Sequence, residues 1–140
     1  MESFTYHLEQ VNWVAIAVAT LTFYFIGGLW YSQAGFGKQW MKAVGLTKKD
    51  AAKAKMEIVM PLSGLLGLAS AVGLSVLMCA LELSTWQQGV GLGVLVALGF
   101  VVASQGVHRL FEGKSLKLFL IDAGFSLLFF GAAGGIIGAF

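Results

Sequence analysis

Four apolar runs alternate with polar connections along this chain. They extend from about Val11 to Trp30, Ile58 to Leu81, Gly89 to Val107 and Leu116 to Phe140. Each supplies roughly the 20 residues an α-helix needs to cross a ~30 Å hydrocarbon core. Backbone amides in lipid must be satisfied within their own segment, and the period-2 alternation of a barrel strand is absent, so all four runs are predicted to be helices. Pro61 is expected in the first turn of the second run, where a missing N–H costs little. The predicted fold is therefore an all-α membrane protein, a single transmembrane domain over residues 1–140 with spans at about 11–30, 58–81, 89–107 and 116–140.

The connections differ in character. Residues 31–57 form a long one. Within it Phe36, Trp40, Met41 and Val44 recur at helical spacing against Lys38, Gln39 and Lys42, the pattern of a short amphipathic helix lying in an interface. Thr47 followed by Asp50 resembles a capping box with Asp in place of Glu, so a second short helix is predicted to start there and to lead from Lys48 to Met56 into the second span. The connections Glu82–Gln88 and His108–Ser115 are short.

Composition strengthens the membrane reading. Of 140 residues, 58% are hydrophobic and 11% charged, where soluble domains carry roughly 25% charged residues. A soluble domain this small could not bury so much apolar surface. The 19 glycines, with a single proline and no Gly-X-Y period, suit close packing of membrane helices rather than collagen or disorder. The lone Cys79 cannot form an intramolecular disulfide, and in its apolar run it reads as a small buried hydrophobe. The first ten residues hold Glu2, His7 and Glu9 but no Lys or Arg, so the first run reads as a retained helix rather than a secretory signal.

Charge then orients the chain. All nine Lys and Arg lie in or beside the first and third connections, whereas the opposite side carries only Glu2, Glu9 and Glu82. The positive-inside rule places both basic connections in the cytoplasm and both termini outside. Trp13 and Trp86 are then expected at the outer interface, and Trp30 and Tyr31 at the inner one.

Small residues repeat on three of the runs. Ser63, Gly67, Ala71, Ser75 and Cys79 are spaced by four on the second. Gly89, Gly93 and Ala97 follow on the third, with Gly99 and Ala103 beside them, and Gly131, Gly134, Gly135, Gly138 and Ala139 close the fourth. Lipid provides no hydrophobic drive between helices, so close backbone approach through such stripes is the usual source of contact. Packing within one bundle is the simpler use. Because four helices offer few inward faces, a homo-oligomer is also expected. The large residues Phe23, Tyr24, Phe25, Phe125, Phe129 and Phe130 are expected to face lipid or to fill gaps beside glycine.

Asp122 is the most unusual polar residue, placed roughly 10 Å into the fourth span. An ionisable group at that depth needs a partner and is by default a functional candidate. Lys117, Arg109 and His108 are candidate partners. If the third helix continues to Glu112, then Gln105, His108 or Arg109, and Glu112 share one face and form a polar patch with Asp122. The patch serves either as a structural clamp between the third and fourth helices or as a site for a proton, an ion or a small ligand. Phosphate-loop, metal-ligand and nucleophile motifs are absent, so no cofactor or metal is predicted, and nucleic-acid binding is not expected. The basic connection either enforces topology or attracts anionic headgroups.

Two stretches carry a family resemblance. One is Gly27-Gly28-Leu29-Trp30-Tyr31-Ser32 with Phe36-Gly37-Lys38 and Trp40. The other runs from Leu110 through Glu112-Gly113-Lys114 to Asp122-Ala123-Gly124. They resemble the two signatures of the bacterial membrane family called domain of unknown function 1761, with Gln33 where that pattern often has proline. The resemblance implies about four spans and no established activity, and it singles out Trp30, Tyr31, Lys38, Trp40, Glu112 and Asp122. Phe36-Gly37-Lys38 also echoes Glu112-Gly113-Lys114, as two related hairpins would. Two function classes follow: an oligomeric channel or transporter whose inner polar cluster handles a proton, ion or small polar solute, and a structural or accessory protein that binds lipid or a partner. A membrane enzyme is the least expected.

Overall fold

The computed structural model describes residues 2–47, 49 and 55–140. The regular elements among them are all helical: α1 (Glu2–Gln10), α2 (Trp13–Trp30), α3 (Gly37–Val44), α4 (Met56–Ala80), α5 (Trp86–Glu112) and α6 (Leu116–Ala139). Helices α2, α4, α5 and α6 are long and apolar enough to cross a membrane. The predicted Thr47–Asp50 cap and most of the run from Lys48 to Met56 lie outside the described residues.

Local chemistry sets the boundaries. The Asn12 side chain accepts from the backbone of Val14 and Ala15 at 3.0 and 3.2 Å, which starts α2 and separates it from α1. Helix α1 had no counterpart among the apolar runs because its nine residues include Glu2, His7 and Glu9. It packs on α4, and Leu8 and Val11 join the core. Thr85 and Gln88 form a reciprocal capping box at the start of α5. Gly113 ends α5 in the left-handed region at φ 68°, a conformation that favours glycine, and Ser115 caps α6 through Leu118 N–H. Because α5 continues to Glu112, the third connection shrinks to Gly113, Lys114 and Ser115.

Two details differ from the sequence expectation. Helix α4 starts at Met56, so Pro61 sits in the second turn and withholds an N–H from the Glu57 carbonyl. Helix α5 contains one wide π turn over Ala97–Val102. At 3.6 residues per turn, positions spaced by four drift about 40° per step around an α-helix. The wide turn takes back part of that drift. It therefore keeps Gln105 and Arg109 on the α6-facing side that Gly89, Gly93 and Ala97 occupy further up.

Helix α6 is central and packs against α2, α3, α4 and α5, whereas α4 and α5 barely touch. Ile16 and Ala19 of α2, Ala71, Leu74 and Val76 of α4, and Phe129 and Ala133 of α6 form the core. Phe23 meets Phe125 and Phe129 edge-on at 5.7 and 5.2 Å, so these rings lie inside the bundle, while Phe25 points outward at 68% exposure. Gly89 and Gly93 lie directly on the backbone of Gly134 and Phe130, and Gly138 lies on that of Thr85. The small-residue stripes of α5 and α6 are thus used against each other within one chain, and Gly67 and Ala71 of α4 are likewise buried.

Candidate functional site

The site forms where α2 ends, α5 ends and α6 begins. The first signature stretch closes α2 with a compact turn. Ser32 Oγ donates to the Leu29 carbonyl at 2.7 Å and accepts from Gly35 N–H, while Phe36 N–H returns to the Trp30 carbonyl at 2.7 Å. The turn is tight even with Gln33 in place of proline. Gly37 permits the return, because a Cβ there would strike the Tyr31 and Ser32 carbonyls. Helix α3 then folds back against α6 with Trp40, Met41 and Val44 partly covered and Lys38, Gln39 and Lys42 exposed, as its amphipathic pattern requires. Gly37 is buried at the start of α3 whereas Gly113 is a left-handed cap after α5, so the echo between the two Gly-Lys motifs does not extend to structure.

This turn aims two aromatic side chains at α6. Trp30 Nε1–H donates to the Ile121 carbonyl at 2.9 Å, and Tyr31 O–H donates to Asp122 Oδ1 at 2.7 Å. Gly124 makes room for the indole, since a Cβ there would come within 2.7 Å of it. From α5, Arg109 binds Asp122 Oδ2 at 2.9 Å through Nη2 and Glu112 Oε2 at 2.9 Å through Nη1. Asp122 is only 8% exposed, and both its oxygens are engaged. Below it Ser126 donates to the Asp122 carbonyl and accepts from Gln105 Nε2 at 3.3 Å. Gln105 Oε1 and Arg109 Nε are buried with no partner among the described residues.

Of the candidate residues, Asp122, Arg109, Glu112, Gln105, Trp30 and Tyr31 therefore come together. His108 and Lys117 do not. His108 is exposed on the outward side of α5, and Lys117, also exposed, borders a separate surface recess with Trp30 and Phe36. Arg109 takes Asp122 because the last turns of α5 run alongside α6, whereas Lys117, five residues before Asp122 on α6 itself, falls on a different face. Ser126 and Gly124 were missed. Small and uncharged, they gave no signal apart from the place of Gly124 in the second signature.

One charge-balance feature follows. Arg109 faces two carboxylates, so the triad carries a net negative charge. Burial, reinforced by the hydrogen bond to Asp122 and its charge and opposed by Arg109, pushes the Tyr31 phenol well above its ordinary value, so Tyr31 remains a proton donor at neutral pH.

A cavity of about 530 Å³ adjoins this triad between α2, α3, α4 and α6. Asp122 and Tyr31 form its polar end, Phe23, Tyr24, Trp40 and Phe125 line it with aromatic rings, and Ser63 adds a hydroxyl. Tyr24 O–H donates across its far side to the Met60 carbonyl, bridging α2 and α4. A volume of this size suits a small organic molecule. Aromatic faces beside a net negative group favour a cation over an anion.

Comparison with curated proteins and with solved structures finds no match to the chain. Residues 14–138, nearly the whole length, match the family described as "Protein of unknown function (DUF1761)", and the protein belongs to that family.

Proposed function

We propose that this protein is a multi-pass protein of a bacterial cytoplasmic membrane whose aromatic cavity binds a small lipophilic cation beside Asp122, as one step of its transfer across or within the membrane. The carrying observation is the joining of an apolar, ring-lined cavity of about 530 Å³ to a triad with two carboxylates and one guanidinium. Four apolar helices support the insertion, and the grouping of Lys and Arg supports both termini outside and the triad at the inner face. Gly91 and Gly99, exposed on α5 with nothing among the described residues against them, support self-association.

Tetraphenylphosphonium is a suitable probe. In nanodiscs it is expected to bind saturably and to quench Trp40, with affinity reduced about tenfold in Trp40→Ala, and proteoliposomes are expected to show flux that Asp122→Asn abolishes. Absence of saturable binding, or binding indifferent to both substitutions, overturns the cation site. Cysteine labelling that finds residue 38 accessible from outside the cell overturns the orientation.

A second reading has its own observation: both Asp122 oxygens are already occupied. On that reading the triad is a clamp in a structural or accessory protein. It predicts that Asp122→Asn lowers stability without changing any solute flux.

A further inference from the structure

A second recess lies on the opposite side of Arg109, between the ends of α5 and α6. It holds about 520 Å³ and shares no lining residue with the aromatic cavity. Its floor is apolar, built from Ala103, Gly106, Val107 and Phe119. The Phe119 ring packs over Gly106, where a Cβ would stand 3.4 Å from it. Its outer rim is formed by Leu110 and Leu116, which are 83% and 70% exposed, so the recess opens sideways to whatever surrounds the bundle.

Its polar mouth has a different chemistry. Arg109, Lys114 and Ser115 line the recess together. The left-handed turn at Gly113 places Lys114 there, and Lys114 makes no ion pair with any described residue. Ser115 begins α6, whose first backbone N–H groups and dipole favour an anion at that point.

We propose that this recess is a binding site for one anionic phospholipid, with an acyl chain along Gly106 and Phe119 and the phosphate held by Lys114 and the start of α6. Two features select this occupant. A lateral apolar groove with a cationic mouth matches the shape and charge of a phospholipid at the membrane boundary. Lys114, at the mouth and without an ion pair among the described residues, also attracts an anionic headgroup, whereas a zwitterionic one brings a second cation to it. The inference rests on membrane insertion but not on the cation cavity.

The test is lipid retention by native mass spectrometry on full-length protein released from nanodiscs of equal phosphatidylglycerol and phosphatidylcholine. One phosphatidylglycerol per chain is expected to remain preferentially bound. Lys114→Gln is expected to weaken that preference roughly fivefold, and Lys38→Gln, on α3, to leave it unchanged. Gly106→Leu, which fills the floor, is expected to remove it, with circular dichroism and the melting temperature confirming that each variant folds. Equal retention of the two lipids overturns the site, as does equal loss in Lys38→Gln and Lys114→Gln. Displacement of the bound lipid by millimolar inorganic phosphate also overturns it, because the acyl chain then contributes nothing. Tetraphenylphosphonium binding, read on the other cavity, reports separately on the cation site.

Discussion

The two ends of the α5–α6 interface are held by opposite kinds of physics. Near Trp86 the helices touch backbone to backbone, with Gly89 and Gly93 on Gly134 and Phe130. Near Glu112 they stand further apart and are joined by Arg109, Asp122, Gln105 and Ser126. The glycine seam gains many weak dispersion contacts and has no tolerance for added volume. The polar end gains a few directed bonds and tolerates volume, but it penalises an unmatched charge. The wide turn at Ala97–Val102 lies between them and lets one helix serve both. The difference is informative because the seam is complete within itself, whereas the polar end borders both recesses and holds two buried polar atoms without a partner among the described residues. The seam is a packing device, whereas the other end sets buried polar groups beside open space.

The comparison can be broken most severely at the seam. Gly93→Leu drives a side chain into the Phe130 carbonyl and is expected to abolish the folded bundle, read as loss of a monodisperse peak and of cooperative unfolding in detergent. Gly73→Leu on α4 is the control, since that exposed position meets nothing among the described residues and is expected to behave as wild type.

At the polar end the expected losses are smaller and depend on charge. Arg109→Met leaves Asp122 without its cation and is expected to cost about 3 kcal/mol in reversible detergent unfolding. Adding Asp122→Leu is expected to restore about 2 kcal/mol of that loss, because the unmatched charge goes with it. If the double variant is no more stable than the single one, the penalty is not that of a stranded charge.

The smallest effect concerns Tyr31. Tyr31→Phe removes one hydrogen bond to a carboxylate and is expected to cost about 1.5 kcal/mol. Its pH dependence sharpens the assignment. The folded-state phenol is raised above its ordinary value of 10.0, so its stabilisation is complete below that pH and is lost as pH rises beyond it. Unfolding measured from neutral to strongly alkaline pH is expected to show this decline in wild type and to lack it in Tyr31→Phe.

Legibility in the sequence followed the range of the interactions. The four long helices were readable because hydrophobic length is a local property, and α3 was readable from its Trp40–Val44 face against Lys38 and Lys42. Helix α1 was not, because its stability comes from docking on α4 rather than from its own apolar run. At the site, Asp122 stood out as a carboxylate within an apolar run. Its choice of Arg109 over Lys117 and His108 was invisible, because it depends on how far α5 continues and on the register after a wide turn that no residue pattern announced.

The sequence by itself determined the number of long apolar helices, the segregation of all basic residues in or beside the first and third connections, and the family. These follow from composition and order along the chain. Only the tertiary structure decided that the glycine stripes of α5 and α6 face each other, that Asp122 is closed on one side by Tyr31 and on the other by Arg109, and that two separate recesses flank that pair. Such pairings depend on distances between residues up to 91 positions apart, which the rotation and offset of whole helices set and no local pattern encodes.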